Sequence, residues 1–297
     1  MKVLILGGSG MLGHQLLTGL QKQHEVRVTL RETIRTYQSY GIFDETNSYY
    51  GIDLIQKEAL DDVIVDFKPD AIVNAAGVIK QRQPTNEITE HLEMNALFPH
   101  RLANLCKKFN IRLIHISTDC VFSGLKGQYT ENDLSDAEDI YGKTKFLGEV
   151  LCDNVINLRT SFIGPELSRK TSLLEWYLAQ TGKIKGYNRV FFSGLTTLEI
   201  SRVIHHLLTA HRSLSGIWNV SGQPISKYHL LLRLTQLLRR QDIFIEAYAD
   251  LACDRSLNSQ AFQETTLYMP PSWDRMLIEL TDQIRNNPLY ASSKCMH

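Results

Sequence analysis

The sequence lacks a pattern of cysteines that would build a disulfide framework or a zinc site. It has five cysteines, an odd number, and none of them stands at Cys-x-x-Cys spacing from another. The five are Cys106, Cys120, Cys152, Cys253 and Cys295. This usage is typical of a cytosolic protein with reduced thiols, because disulfide scaffolds and zinc motifs pair their cysteines at characteristic spacings.

The chain also lacks an excess of charge and a long apolar run. Its 32 Lys and Arg residues balance 32 Asp and Glu residues, so bulk charge favours neither nucleic acid nor an anionic membrane as a partner. No stretch approaches the ~18 apolar residues of a membrane helix. The apolar run at residues 3–6 ends at Gly7, too early for a secretory signal. We expect a cytoplasmic protein with no nucleic-acid and no membrane partner.

A glycine-rich turn follows this first apolar run directly. The segment reads Ile5-Leu6-Gly7-Gly8-Ser9-Gly10-Met11-Leu12-Gly13 and opens a stretch with helical periodicity. Glycines let the backbone turn sharply and approach a pyrophosphate, which sits on the helix N-terminus. We expect dinucleotide contacts from Gly7, Gly10, Met11, Leu12 and Gly13. The alternative is a tight strand–helix turn without a ligand.

Segments of strand and helix periodicity alternate through the first half of the chain. Such alternation implies parallel pairing. It predicts an α/β fold, a Rossmann-type doubly wound parallel sheet with a smaller C-terminal α/β substrate lobe. We expect an NAD(P)-binding domain at residues 1–160 and the lobe at 161–297, with the chain crossing back around 188–222. Residues 31–48 are expected to be a loop, and 88–109 a helix that Pro99 interrupts.

The end of the second strand indicates which dinucleotide is bound. A carboxylate there bonds the ribose 2′-hydroxyl of NAD, whereas an Arg accommodates the 2′-phosphate of NADP. This strand ends Val28-Thr29-Leu30-Arg31, and Arg35 follows one turn later. We therefore expect NADP(H) as the preferred cofactor and NAD(H) as the alternative. A solvated loop position for Arg31 is the competing interpretation.

Two further segments are expected to contact the cofactor. Asp53 and Leu54, in Gly51-Ile52-Asp53-Leu54, are candidates to border the adenine. The run Asn74-Ala75-Ala76-Gly77 places small residues at a strand end, where the backbone must pass close to a cofactor.

Tyr141 and Lys145 form a Tyr-x-x-x-Lys pair in a helical segment. Their spacing puts both side chains on one face. A Tyr has an ordinary pKa of ~10, and a nearby ammonium favours its ionised form and lowers that pKa. Tyr141 could then donate a proton to a carbonyl oxygen, with Thr118 hydrogen-bonding the same oxygen. The alternative is a half-buried Tyr beside a surface Lys.

In combination these motifs resemble an extended short-chain dehydrogenase/reductase, and more closely the dTDP-4-dehydrorhamnose reductase family. The matching segments include residues 7–13, 74–77, 94–95, 115–124, 129–131, 141–145 and 158–161. The resemblance implies reduction of the 4-keto group of a nucleotide-activated deoxysugar with NADPH or NADH. Such an activity belongs to the synthesis of precursors for bacterial-type cell-surface polysaccharides.

The resemblance also implies roles for individual residues. Thr118, Tyr141 and Lys145 become the catalytic set, and Asn95 supports the geometry of the site. Cofactor contacts are extended to Asn95, Ser117, Tyr141 and Lys145. A dTDP- or UDP-linked sugar is expected to contact Lys80, Arg82, Thr118, Val121, Phe122, Phe162 and Arg255.

Three positions depart from the family pattern. Cys120 stands where a Tyr is frequent, and Phe162 where a Trp is frequent. Some members bind a metal between subunits through a Glu two residues after the third glycine. This chain has Gln15 there, so no metal is expected, while a homodimer stays open.

Two other functions stay in view beside the reductase. One is a sugar-nucleotide epimerase or dehydratase, although Asp119-Cys120 breaks the Asp-Glu pair of the dehydratases. The other is a non-catalytic NADP-binding regulator that resembles the regulatory subunit of methionine adenosyltransferase.

Overall fold

The computed structural model describes residues 1–56, 58–79 and 87–287. Its strands are β1 (Lys2–Leu6), β2 (Glu25–Thr29), β3 (Ser48–Tyr49), β4 (Ala71–Asn74), β5 (Arg112–Ile116), β6 (Val155–Arg159), β7 (Phe162–Ile163), β8 (Gly182–Tyr187), β9 (Val190–Phe192), β10 (Leu195–Thr196), β11 (Gly216–Asn219), β12 (Ile225–Ser226), β13 (Ile243–Tyr248) and β14 (Cys253–Asp254). Its α-helices are α1 (Met11–Leu20), α2 (Ile34–Tyr37), α3 (Ala59–Phe67), α4 (Glu87–His91), α5 (Phe98–Lys108), α6 (Ile140–Leu147), α7 (Leu173–Leu178), α8 (Thr197–Ala210), α9 (Lys227–Leu237), α10 (Gln260–Thr266) and α11 (Trp273–Asn286). Within these described ranges, no helix has both the length and the apolarity needed to cross a bilayer.

Seven strands form one sheet in the order β11-β6-β5-β4-β1-β2-β3. All neighbouring pairs in it run parallel. The order from β3 to β6 is that of a Rossmann fold, so the predicted doubly wound sheet is confirmed. Strand order reverses between β1 and β4, and ligands of such sheets bind at this point, beyond the carboxyl ends of the strands.

Helices cover both faces of the sheet because its central strands are apolar on both sides. Val3 and Ile5 of β1 pack into a core that includes residues of α1 and α8. Leu4 and Leu6 pack on the opposite face into a core built with residues of α3 and α5. Alternate residues of one strand thus hold two layers of helices.

The part of the chain that follows β6 contributes to this sheet and to smaller ones. β11 pairs in parallel with β6, and a Cβ on Gly19 of α1 would lie 2.3 Å from the hydroxyl of Ser201 on α8. The other strands form the sheets β10-β7, β12-β9-β14 and β13-β8. β11 lies inside the 188–222 segment, while the domain boundary at residue 160 stays a prediction.

The expectation that residues 31–48 form a loop is wrong in part. The segment holds α2, a 3₁₀ turn at Gln38–Tyr40 and the start of the edge strand β3. Tyr37 and Phe43 are buried in the main core with ring centroids 5.8 Å apart. Elements of two to four residues are too short to show a periodic pattern of apolar residues. They could therefore not be predicted from the sequence, and the tertiary contacts of Tyr37 and Phe43 accompany them in the fold.

The helix expected at 88–109 runs as α4, a π-helical segment at Leu92–Leu97, and α5. Pro99 therefore does not end it. Proline has no N–H to donate to the carbonyl four residues earlier, which is that of Asn95, and the turn widens before it. The Asn95 carbonyl instead packs on Gly148, where a Cβ would lie 1.9 Å from it.

Candidate active site at the carboxyl ends of the strands

The glycine-rich turn between β1 and α1 is shaped by close backbone contacts. Gly7 has φ +83°, which favours glycine. A Cβ on Gly13 would lie 2.1 Å from the carbonyl oxygen of Gly7, so α1 can start this close to the turn only without a side chain there. Gly10 is the N-cap of α1 and provides no side-chain cap. The first-turn N–H groups of Met11 and Leu12 thus fit an anionic group such as a pyrophosphate.

The end of β2 brings the expected ribose and adenine contacts to one place. Ile52 N donates to Leu30 O at 3.0 Å, and Gly51 N donates to Glu32 O at 3.2 Å. Asp53 and Leu54 therefore lie beside the exit of β2. Arg31 and Arg35 are both exposed there. The first charged residue after the strand is therefore the basic Arg31. The nearest carboxylate, that of Glu32, comes one residue later.

The loop after β4 passes directly beside the glycine-rich turn. A Cβ on Gly7 would lie 3.0 Å from the Cα of Ala76. The Asn74 amide is committed within the protein, because it accepts a hydrogen bond from Ala76 N at 3.2 Å and lies 3.1 Å from His115 Nδ1. Its side chain shapes the loop that carries Ala75, Ala76 and Gly77.

Asn95 clamps the far end of this loop. Its Oδ1 accepts from Val78 N at 2.9 Å and its Nδ2 donates to Val78 O at 3.0 Å. The same Nδ2 lies 3.5 Å from Thr144 Oγ1 on α6. The π-helical segment therefore links the loop after β4 to the helix that carries Tyr141 and Lys145, and π-helical turns are frequent at functional sites.

Helix α6 holds Tyr141 and Lys145 against the end of β5. Asp139 caps the helix by accepting from Gly142 N at 2.9 Å, and a Cβ on Gly142 would lie 2.2 Å from Cys120 O. Lys145 is buried, and its Nζ donates to Ile116 O at 2.7 Å. Burial lowers the pKa of Lys145 to about 8, while the Glu149 carboxylate acts in the opposite direction.

The expected lowering of the Tyr141 pKa by Lys145 is not what this structure gives. Burial raises the pKa of Tyr141 above its ordinary value, and the nearby Cys120 thiol acts in the same direction. A hydrogen bond with Thr118 opposes them. The reason is geometric, because the Lys145 ammonium is directed to the Ile116 carbonyl.

Thr118 starts the short 3₁₀ turn Asp119–Val121 that follows β5. Its Oγ1 accepts from Cys120 N at 3.1 Å and donates to Asp119 Oδ1 at 3.2 Å. Burial raises the pKa of Asp119, and the charge of Arg255 partly offsets this. Thr118, Tyr141 and Lys145 are thus brought together beyond β5. Burial also raises the pKa of the Cys120 thiol to about 12, as expected for a packing residue.

Arg255, an expected substrate contact, is joined to the segment that follows Thr118. It is half-buried, and its Nε donates to Phe122 O at 2.8 Å. Burial lowers the pKa of Arg255, but the neighbouring Cys120, Cys253 and Asp119 outweigh this effect and the net shift is upward. Phe162 is half-buried on β7. Lys80 and Arg82 lie outside the described residues.

Val121 and Phe122 do not offer side chains to a ligand in this structure. Both are completely buried in a small cluster with Tyr129 and Leu257. The ring of Phe122 stacks on that of Tyr129 with centroids 4.2 Å apart. Apolar packing with a segment more than 130 residues away turns these side chains into the protein.

The sequence analysis assigned no role to Glu149 or to Arg159, although Arg159 lies in the matching segment 158–161. Arg159 donates to Glu149 through Nε at 2.9 Å and Nη2 at 2.7 Å. Ser117 Oγ donates to Glu149 Oε1 at 2.7 Å. The available signal was spacing, since Glu149 follows Lys145 by four residues and extends the row that begins at Tyr141.

Comparisons with known proteins identify relatives of this arrangement. The family model for the RmlD substrate binding domain matches residues 1–167. A dTDP-4-dehydrorhamnose reductase of Aggregatibacter actinomycetemcomitans is 26% identical over 238 residues, which cover 77% of this chain and 76% of the relative. Methionine adenosyltransferase 2 subunit beta of Rattus norvegicus is 29% identical over 150 residues, covering 50% of this chain and 41% of that protein. The crystal structure of a dTDP-4-dehydrorhamnose reductase from Bacillus anthracis in complex with NADP has a TM-score of 0.77 at 20% identity, over 95% of this chain and 99% of that one.

Proposed function

The chain belongs to the RmlD substrate binding domain family, and on this premise we propose that it is a sugar-nucleotide reductase. It uses NADPH, with NADH as the alternative, to reduce the 4-keto group of a dTDP- or UDP-linked deoxysugar. The observation that carries this proposal is the meeting of Thr118, Tyr141 and Lys145 beyond β5, two strands from the glycine-rich turn. Residues 1–160 serve the cofactor and 161–297 the sugar nucleotide.

The residues divide the reaction between them. The nicotinamide cofactor, when bound, supplies the hydride. Tyr141 holds a proton on its hydroxyl and donates it to the keto oxygen. Thr118 hydrogen-bonds the same oxygen, and the buried Lys145, one turn along α6 from Tyr141, holds its ammonium at the Ile116 carbonyl. Positioned proton transfer of this kind contributes ~10²–10⁴ in rate.

The preference for NADP(H) rests on the exit of β2. Arg31 and Arg35 are exposed there and are free to approach a 2′-phosphate, which guanidinium groups bind well. A reductase of this class forms a precursor for bacterial-type cell-surface polysaccharides. It functions as a monomer or a homodimer.

The experiment is a turnover assay with purified protein, NADPH and a panel of 4-keto sugar nucleotides. Reduction removes the near-ultraviolet absorbance of the cofactor, and mass spectrometry of the sugar shows a gain of two hydrogens. A product that lost water or inverted a centre without net cofactor consumption would instead indicate a dehydratase or an epimerase.

A regulatory role is the second candidate, favoured by the similarity to methionine adenosyltransferase 2 subunit beta. It predicts tight NADP(H) binding with no turnover of any substrate in the panel. Reduction that requires Tyr141 would exclude it as the sole function.

A further inference from the structure

Glu149 and Arg159 form an ion pair that is almost completely removed from solvent. The exposed fractions of their side chains are 2% and 3%. Arg159 binds both carboxylate oxygens of Glu149, through Nε and Nη2. Bidentate pairs of this kind fix direction as well as distance, so the Glu149 carboxylate has one defined position.

This carboxylate and Lys145 hold two consecutive residues at the end of β5. Glu149 Oε1 accepts from Ser117 Oγ at 2.7 Å, and Lys145 Nζ donates to Ile116 O at 2.7 Å. Glu149 lies one turn beyond Lys145, just after α6 ends. The tight packing of Gly148 on Asn95 O fixes this exit. The end of β5 is therefore held by two opposite charges from the same short segment.

Stability alone is a weak reason for this pair. Burying two charges costs much of what their attraction returns, and apolar replacements of similar volume are often as stable. A charge next to Lys145 has another consequence, because burial lowers the Lys145 pKa and Glu149 opposes that lowering. Other titratable or charged groups on α6 and on the elements around it include Asp139, Tyr141 and Lys143 on α6 and its N-cap, Glu90 and His91 on α4, Glu93 on the π-helical segment, His100 on α5, His115 on β5, Asp119 and Cys120 on the 3₁₀ turn, and Arg159 on β6.

Three of these groups, His115, Asp119 and Arg159, add little to the stabilisation of the charged form of Lys145. The pKa of His115 is held well below its usual value by burial, with Lys145 and His100 acting in the same direction, so His115 is neutral. Burial raises the pKa of Asp119, and Arg159 carries a positive charge. The Glu149 carboxylate is directed at Arg159 and Ser117, and its negative charge acts on the ammonium from there, because Lys145 binds the carbonyl of Ile116, the residue next to Ser117.

We propose that Glu149, fixed by Arg159 and Ser117, is a positioning residue that keeps Lys145 charged and the end of β5 in place for reduction. The proposal rests on the function given above for its consequence in catalysis. The effect of Glu149 on the protonation of Lys145 concerns the protein alone and can be measured without a substrate.

The primary test is Glu149→Gln, followed by an NMR titration of the lysine side chains labelled with carbon-13 at Cε. Lys145→Met identifies the Lys145 signal. The neutral amide leaves Arg159 as an unpaired cation, so we expect the pH at which Lys145 loses its proton to fall by about one unit or more. In turnover assays the alkaline limb of the pH–rate profile should shift to lower pH by the same amount. A purely structural role would not produce this shift.

Two further variants keep the test decisive if Glu149→Gln folds poorly. Glu149→Asp retains the charge and should retain most of the wild-type titration. Glu149→Leu with Arg159→Met removes both charges and should still lower the pH at which Lys145 titrates. The matched control is Glu93→Gln, which opens the half-exposed Glu93–Arg101 pair on the neighbouring helix and should leave Lys145 unchanged.

An unchanged Lys145 titration in a folded Glu149→Gln, or in the double variant if the single one does not fold, would overturn the proposal. So would a loss of activity that is uniform at every pH. A shifted titration in a protein that reduces no sugar nucleotide would support the role of Glu149 and reject the proposed reaction, so the two failures are distinguishable.

Discussion

Residues 2–159 and residues 162–287 position their candidate site groups by different means. In the first region four groups lie at the carboxyl ends of strands in one parallel sheet: Gly7 after β1, Arg31 after β2, Asn74 at the end of β4 and Thr118 after β5; Tyr141 and Lys145 lie on α6. In the second region most strands belong to sheets of two or three. Arg255 follows the two-residue strand β14 and is held by a hydrogen bond to a loop of the first region.

The difference suggests a division of tasks. Proton transfer demands positions fixed to a fraction of an ångström, which a packed sheet and helix supply. Ligand recognition tolerates more variation and is often carried by loops on a rigid scaffold. The regions are still one folded unit, since β11 completes the sheet beside β6. If the division is correct, substitutions in the two regions should affect different measured quantities.

Tyr141→Phe should give the largest effect and test the chemical side of the comparison. It removes only the hydroxyl that transfers the proton, so we expect reduction to fall by ~10²–10⁴ while NADPH affinity stays nearly unchanged. Steady-state turnover and calorimetric titration with NADPH measure the two quantities. Lys145→Met should impair both. Wild-type turnover by Tyr141→Phe on a verified substrate would assign proton donation to another group.

Gly13→Ala should show how little freedom the glycine-rich turn has. The added methyl would lie 2.1 Å from Gly7 O, and moving packed backbone costs about 3 kcal/mol. The control Gly10→Ala places its methyl 3.3 Å from the same oxygen at a φ of −72°, so its cost should stay below about 1 kcal/mol. Urea unfolding compares them. Equal stabilities would mean that the turn can relax.

The parts of the molecule that follow from local pattern could be predicted from the sequence. The alternation of apolar segments predicted the sheet, and the four-residue spacing predicted that Tyr141 and Lys145 share a face. These features depend on a few neighbouring residues, so a single sequence contains the information.

Features that depend on distant contacts could not be predicted in this way. Glu149 and Arg159 belong to different elements, and nothing in their neighbourhoods marks them as a pair. Phe122 was predicted to contact the substrate, but its side chain is buried against Tyr129 and Leu257. The upward shift of the Tyr141 pKa is caused by burial and by the nearby Cys120. Both depend on the assembled fold. The roles of the individual site residues stay predictions.

Arg31→Ala should sharpen the comparison within the first region by separating cofactor selectivity from catalysis. Loss of a guanidinium from the 2′-phosphate should weaken NADPH binding by about tenfold, since a charge-assisted hydrogen bond contributes roughly 1.5–3 kcal/mol and Arg35 retains part of the contact. NADH has no such phosphate, so its affinity should not change. Fluorescence titration with both cofactors measures this. A parallel loss for both would place the 2′-phosphate elsewhere.

Arg255→Ala should give the smallest effect and is the direct test of the second region. Arg255 is half-buried beside Asp119 and Cys120, and a diphosphate in a cleft favours Arg donors. Removing one such contact should raise the KM for the sugar nucleotide by up to about tenfold, with kcat and NADPH affinity close to wild type. Arg275→Ala, an exposed Arg in a surface ion pair with Glu279, is the control and should leave the KM unchanged. A fall in kcat with an unchanged KM would mean that Arg255 acts through the Phe122 carbonyl on the Thr118 turn, and the division of tasks between the two regions would fail at that point.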